Sequence, residues 1–245
     1  MKQRLDNSSN SEQQNTPAQY HAPQNISAFS TDAVARPIVE TAVVLLTIFD
    51  AKLQALLIQT TAESTDLWAI PSAYVSANHG VEETARRQLE HMTGQGNIYL
   101  EQLYTFGDIQ QDPRGRVVSV VYFALGNESS LDMQAVQSLA GAQWWPVISL
   151  PRMAYNHDSI LRYTLKRMQG KLEYTTIGFH LVSEEFTLRE LQNAYEAILN
   201  RELDKRNFRK KIFSIHALDE TSDVKMEGPH RPARLYRRKT SAETL

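Results

Sequence analysis

The sequence predicts an α+β chain in which a mixed-sheet domain covered by helices precedes a smaller domain of two helices and two strands. Three observations carry that expectation. Apolar strand-like runs recur through the first half, a strand, turn and helix occupy residues 71–94, and two short amphipathic helices near residue 200 lead into a strongly basic end.

Residues 43–49 (VVLLTIF) and 54–59 (QALLIQ) are apolar runs separated by Asp50, Ala51 and Lys52, the pattern of a hairpin of largely buried strands. A third strand is expected over residues 68–75. Residues 103–110 and 116–125 form a further pair, joined by the turn chemistry of Gln111, Asp112, Pro113, Arg114 and Gly115. The run AQWWP at 142–146 closes the sheet. A helix is then expected from Asn156 to about Gln169, capped by Asn156 or Asp158, with Ile160, Leu161, Leu165 and Met168 inward. It joins the two domains.

The most informative stretch is PSAYVSANHGVEETARRQLEHMTG, residues 71–94. It resembles the Nudix hydrolase signature, with Ala73, His79, Arg87, Gln88, Leu89, His91, Met92 and Gly94 at the defined positions. Arg87, the apolar Leu89 and Gly94 match; the first glycine and the carboxylates do not. Working members place glutamates on one helix face to hold Mg²⁺ against a diphosphate. Here the face presents an amide, an imidazole and a thioether, which suit that hard ion poorly. Glu82, Glu83 and Glu90 lie nearby but off the required spacing. His79 and His91 lack an acidic or thiolate partner at ligand spacing, so no metal site and no catalytic residue is assigned. The expectation is a pocket that still holds a nucleotide without cutting it; an active hydrolase using those three glutamates is the alternative.

Composition sets the limits. The 245-residue chain is 42% hydrophobic, enough for a substantial core, and contains no cysteine, which excludes disulfides, thiolate catalysis and Cys-ligated zinc. No apolar run reaches the roughly 18 residues of a membrane span, so no membrane partner is expected. Residues 1–36, rich in Ser, Asn, Gln and Ala, read as a disordered tail without a signal core.

Charge is divided unevenly. Residues 201–239 hold twelve basic and six acidic side chains, a net of +6, so against −2 for the whole chain the remainder carries −8. That split points to a polyanion partner for the C-terminal part. Thr187 and Glu190 have capping-box spacing, and Leu188, Leu191, Tyr195, Ile198 and Leu199 follow as one apolar stripe. After a break at 200–203, Asp204 caps a second helix with Phe208 and Ile212 inward and Arg206 and Lys210 outward, flanked by Asn207 and Arg209. Two short helices with such a face fit a helix-turn-helix. Residues 215–218 and 233–237 then read as wing strands, joined by a polar loop over 219–232. The candidate DNA-binding residues are Thr187, Arg201, Lys205, Arg206, Asn207, Arg209, Lys210 and Lys211, with Lys225, Arg231 and Arg234 on the wing. RNA binding by the basic face alone is disfavoured by its lack of aromatic residues.

From about Glu40 to Lys239 the chain resembles the NrtR-type transcriptional regulators, a Nudix-like domain fused to a winged helix-turn-helix. The resemblance rests on LYTFGD at 103–108, DPRGRVVSVVY at 112–122 and LDKRNFRKK at 203–211. Beyond the tail over 1–36, which lies outside the match, it implies a Nudix-like α/β/α effector domain over 37–155, a linking helix over 156–172 and a winged helix-turn-helix domain over 173–245. It further implies a cytoplasmic homodimeric repressor of NAD metabolism genes, nucleoid-associated when bound to double-stranded operator DNA. Its small-molecule partner would be ADP-ribose or a related nucleotide, an effector and not a cofactor. Trp68, Arg87, Asp108, Arg114 and Arg116 are the effector-binding candidates, Trp68 for stacking and the arginines for gripping a diphosphate.

Overall fold

The computed structural model describes residues 37–60, 67–108, 115–127, 129–226 and 232–239. Its spine is β1 (Ile38–Phe49), in which residues 42–46 are at most 1% exposed. One edge of β1 pairs in parallel with β6 (Val117–Leu125), from Ile38 opposite Val117 to Leu46 opposite Leu125. The other edge is divided: β2 (Lys52–Gln59) takes Leu46 to Phe49, and β4 (Ser72–Tyr74) takes Glu40 to Ala42. Between them β2 peels away to pair with β3 (Trp68–Ala69) and β7 (Ala142–Pro146), while β5 (Tyr99–Phe106) flanks β6. The result is a seven-stranded mixed sheet, splayed beside β1.

The expected first hairpin is present, turning on Asp50 and Ala51 with φ of 49° and 56°, the positive pair that matches strand twist in a two-residue turn. The expected strand over 68–75 is instead broken into β3 and β4. Pro71 has no N–H to give a ladder, and the Ile70 N–H is taken by His157 Nδ1 at 2.9 Å.

Successive residues of β1 serve opposite faces. Val43 and Leu45 pack with Ala85, Leu89 and Met92 of α1 (Val81–Thr93), which Gly94 closes at φ 68°. Val44 and Leu46 pack with Ile160, Leu161 and Met168 of α3 (His157–Lys171). A short α2 (Met133–Ser138), capped by Asp132, lies on the α1 side. Since both sheet faces are covered, the buried strands read as continuous apolar runs. Asn156 occupies the cap position of α3 but makes no side-chain capping bond, and Asp158 pairs with Arg162, so neither caps as expected.

The α3-side core continues into the C-terminal part through Phe179, Phe186, Leu191, Tyr195, Ile198, Phe208, Ile212 and Tyr236. There a 3-10 helix (Ile177–Leu181) leads to β8 (Glu185–Thr187), α4 (Leu188–Leu199), α5 (Lys205–Ser214), β9 (Leu218–Lys225) and β10 (Ala233–Arg238), with sheet order β8-β10-β9. The turn between α4 and α5 is fixed locally. Asn200 takes the left-handed conformation, the Leu203 N–H donates to Glu196 Oε1 at 2.7 Å, and Gln192 donates to the Leu203 carbonyl at 2.9 Å.

The first wing strand begins later than expected: Ile215 and His216 close α5, and β9 occupies residues 218–225, most of which read as loop. Most β9 side chains are exposed, so the alternation that marks a half-buried strand is missing. Gly178 packs against α4 so closely that a Cβ would stand 2.6 Å from Tyr195 Cε2 and 3.3 Å from Leu172 Cδ2. Gly178→Ala is therefore expected to destabilise the protein by about 1–3 kcal/mol through overpacking, measured as a lower denaturation midpoint with unchanged helix content.

Candidate functional site

The splay between β1 and β2 leaves a cavity of about 590 Å³ against α1. Its polar lining includes Tyr74, Ser76, His79, Arg87, Gln88 and His91. Ser76 Oγ lies 2.8 Å from His79 Nδ1, and His79 Nε2 lies 3.7 Å from Glu83 Oε1. Arg87 Nε donates to the same Glu83 oxygen at 3.2 Å, while Arg86 pairs with Glu82 at 2.8 Å. These are i to i+4 pairs on the exposed helix face. Gln88 Oε1 is 3.4 Å from the buried Thr41 hydroxyl, and Met92, only 4% exposed, belongs to the core beneath α1. Among the described residues there is no group of three or more His, Asp and Glu able to hold a metal ion.

The sequence-derived effector set does not converge. Arg87 lines the cavity. Trp68, half-buried, packs edge-on to Trp145 at 5.3 Å, against the core on the α3 side of the sheet. Arg116 donates to the carbonyls of Gly107 and Asp108, folding onto its own strand connection, and the Asp108 side chain is exposed. Arg114 lies outside the described residues. Tyr74 and Ser76 were missed because they fall between the defined motif positions. His79 and His91 stand at those positions, where imidazoles read first as metal ligands.

A second hollow, about 380 Å³, lies where α4 and α5 meet β10; Arg189, Lys205, Arg209 and Arg234 are on its wall. Asp204 Oδ1 caps α5 by accepting the Asn207 N–H at 2.9 Å, and burial of Phe208 and Ile212 turns the opposite face outward. Arg206, Asn207, Arg209 and Lys210 are exposed. No ion pair engages Lys205, Arg206, Arg209 or Lys210 among the described residues. The remaining candidates are placed differently. Thr187 is 1% exposed and accepts the Glu190 N–H in the capping box of α4. Lys211 donates to the Leu172 carbonyl at 3.2 Å, and Arg201 is exposed at a separate hollow near Lys52.

Lys225 pairs with Glu190 and Arg234 with Glu220. Burial acts to raise the Glu190 carboxyl, but the bonds from Lys225 and Thr187 outweigh it and hold the carboxyl below its ordinary range. Arg231 lies outside the described residues. Asp219, Glu220 and Asp223 make the outer wing strand acidic and Glu220 pairs with Arg234 of β10, so among the described residues the unpaired basic side chains gather on α5. Arg189, exposed in the first turn of α4, joins this surface although the sequence of that helix is dominated by its apolar stripe.

Polar contacts at the base of the winged domain join it to the sheet. The Tyr99 ring of β5 stacks on His180 with centroids 4.0 Å apart, and Arg238 Nη1 lies 3.1 Å from His180 Nε2. Lys171 pairs with Glu101 at 2.6 Å, Asn127 donates to the Val182 carbonyl at 2.7 Å, and Gln169 donates to the Ile198 carbonyl at 2.9 Å. Burial, reinforced by the Arg238 charge, lowers the His180 pKa to about 4.

Residues 39–167 match the NUDIX domain family, and residues 178–238 match the NrtR DNA-binding winged helix domain. The chain is 33% identical over 206 residues to the ADPR responsive transcriptional repressor NtrR of Acinetobacter baylyi, covering 82% of each. It superposes on Shewanella oneidensis NrtR complexed with a 27mer DNA at TM-score 0.75 and 29% identity, over 84% of this chain and 97% of that one. A further crystal structure of Shewanella oneidensis NrtR matches at TM-score 0.74 and 30% identity, over 85% of this chain and 98% of that one.

Acidification is expected to weaken the junction. A histidine whose folded pKa lies below its unfolded value of roughly 6.5 favours the fold while neutral, so its contribution is complete above that pH and is lost as pH falls towards the folded value. For His180 that window runs from roughly 6.5 down to about 4. Denaturant titrations at successive pH values should show at most about 3 kcal/mol lost across it through this group, with a flatter profile for His180→Gln.

Proposed function

Because the chain belongs to the NrtR family of Nudix-related transcriptional regulators, we propose that it is a repressor of NAD metabolism genes whose operator binding is controlled by ADP-ribose or a closely related nucleotide. The observation that carries this reading is one core with two different sites on it: the cavity between α1 and the splayed strands, and the exposed Arg206, Asn207, Arg209 and Lys210 of α5.

Residues 37–155 act as the effector domain, α3 within 156–172 as the link and 173–245 as the DNA reader; the tail expected over residues 1–36 lies outside the described residues. The chain works in the cytoplasm as a homodimer, since a two-fold operator presents half-sites about one helical turn apart to paired recognition helices. No helix among the described residues is long and apolar enough to cross a membrane. Arg206 and Asn207 read base edges, Arg209 and Lys210 hold the flanking backbone, and Lys205 and Arg189 neutralise phosphates along the α4–α5 hollow. ADP-ribose, to which the Acinetobacter repressor is by name responsive, occupies the α1 cavity. It alters DNA affinity by preferring one arrangement of the two recognition helices.

Hydrolysis has been lost. A Nudix fold implies a divalent cation, and the donor set here does not fit one: His79, Gln88, His91 and Met92 stand at the carboxylate positions, with Met92 in the core. Glu82 and Glu83 are held on the outer face by Arg86 and Arg87, which disfavours them as substitute ligands.

A gel-shift titration on promoters of NAD metabolism genes, with and without ADP-ribose, tests the reading. Salt-sensitive, sequence-selective binding that responds to ADP-ribose is expected; absence of selective binding would sink it. Arg206→Ala or Asn207→Ala should lose about 1–3 kcal/mol on the operator and relax base preference, whereas Lys205→Ala should weaken specific and random DNA alike.

A further inference from the structure

The four positions where a Nudix box carries carboxylates have followed three separate courses in this chain. Met92 is part of the core, and Gln88 contributes a neutral amide beside Thr41. His79 and His91 replace acceptors with imidazoles, and both line the same cavity as Arg87. The change therefore goes beyond losing ligands for a cation. A wall that should be anionic now offers nitrogen donors, and Glu83, the nearest carboxylate, is engaged by Arg87 and flanks His79 from the outer face.

The chemistry of such a wall is the inverse of an enzyme's. In a hydrolase the cation stands between two sets of negative groups, protein carboxylates and phosphate oxygens. With the carboxylates gone, a diphosphate entering the cavity meets no protein charge for a cation to bridge. An imidazole N–H can donate to a phosphate oxygen, and Arg87 adds a planar donor fork suited to phosphate oxygens. Ile58, Pro71, Ala73, Leu139 and Ala140 supply the apolar part of the wall and leave space for the uncharged part of a ligand.

We propose that His79, His91 and Arg87 take the place of the divalent cation, so that this cavity binds the diphosphate of a nucleotide without metal. The inference rests on the reading of the cavity as the effector site and specifies how its ligand is held. Glu83 shares Arg87 with the ligand and keeps its guanidinium against α1.

Isothermal titration of the full chain with ADP-ribose, in EDTA and in Mg²⁺, decides it. Expected are dissociation constants within about twofold of each other in the two buffers, and a loss of about tenfold or more for His91→Gln and for His79→Gln, the worth of one charge-assisted bond. His91→Glu should bind more weakly in EDTA and recover on adding Mg²⁺, because it restores an anionic ligand position on an exposed residue. Binding by the wild-type chain that requires Mg²⁺, or unchanged affinity in both glutamine variants, would overturn the proposal.

Inorganic pyrophosphate separates this inference from the effector assignment. If pyrophosphate binds in EDTA and ADP-ribose does not, the effector identity fails while the metal-free site stands. If neither binds in EDTA, the metal-free site fails.

Discussion

Everything in the molecule hangs on one apolar contact surface, that between the sheet and α3. Ile160, Leu161 and Met168 are essentially without exposure and face Val44, Leu46, Leu53 and Leu57 on one side. The same buried cluster reaches the winged domain through Leu172, Ile177, Tyr195 and Phe208. The hydrophobic effect is non-directional and scales with area removed from water. It makes the two halves a single cooperative body, while leaving to polar groups the task of fixing their orientation.

The orienting groups lie at the rim. Lys171 with Glu101 ties the end of α3 to β5, while Tyr99 with His180 and Asn127 with the Val182 carbonyl tie β5 and the loop after β6 to the base of the winged domain. Partly buried polar contacts of this sort contribute modestly to net stability but penalise alternatives that would leave them unpaired. The sheet and α3 stand between the α1 cavity and α5, and these rim contacts limit the arrangements open to the winged domain.

The sheet was readable in the sequence because both its faces are covered, which turns β1 and β2 into apolar runs, and α4 and α5 because each has one buried stripe. The failures share a cause as well. β3 and β4 are separated by a proline whose consequence depends on His157, 87 residues away, taking the Ile70 N–H. β9 has little buried surface to impose alternation. Among the candidate binding residues, Trp68 and Arg87 lie only 19 positions apart in the chain but serve opposite faces of the sheet, and no local pattern reveals which face a residue beside an interrupted strand will choose. Arg116 looked like a diphosphate grip by its setting, yet it braces backbone carbonyls.

The position of Met92 has a bearing on history. Its thioether fills space among Val43, Leu45, Leu89 and Leu131, so the packing under α1 has adapted to a large apolar group. A glutamate there would place an ionised carboxylate among those side chains at a cost of several kcal/mol, on the order of a domain's net stability. Return to a cation-binding helix would thus pass through a barely folded intermediate. What bars that return is a largely buried side chain that also borders the α1 cavity.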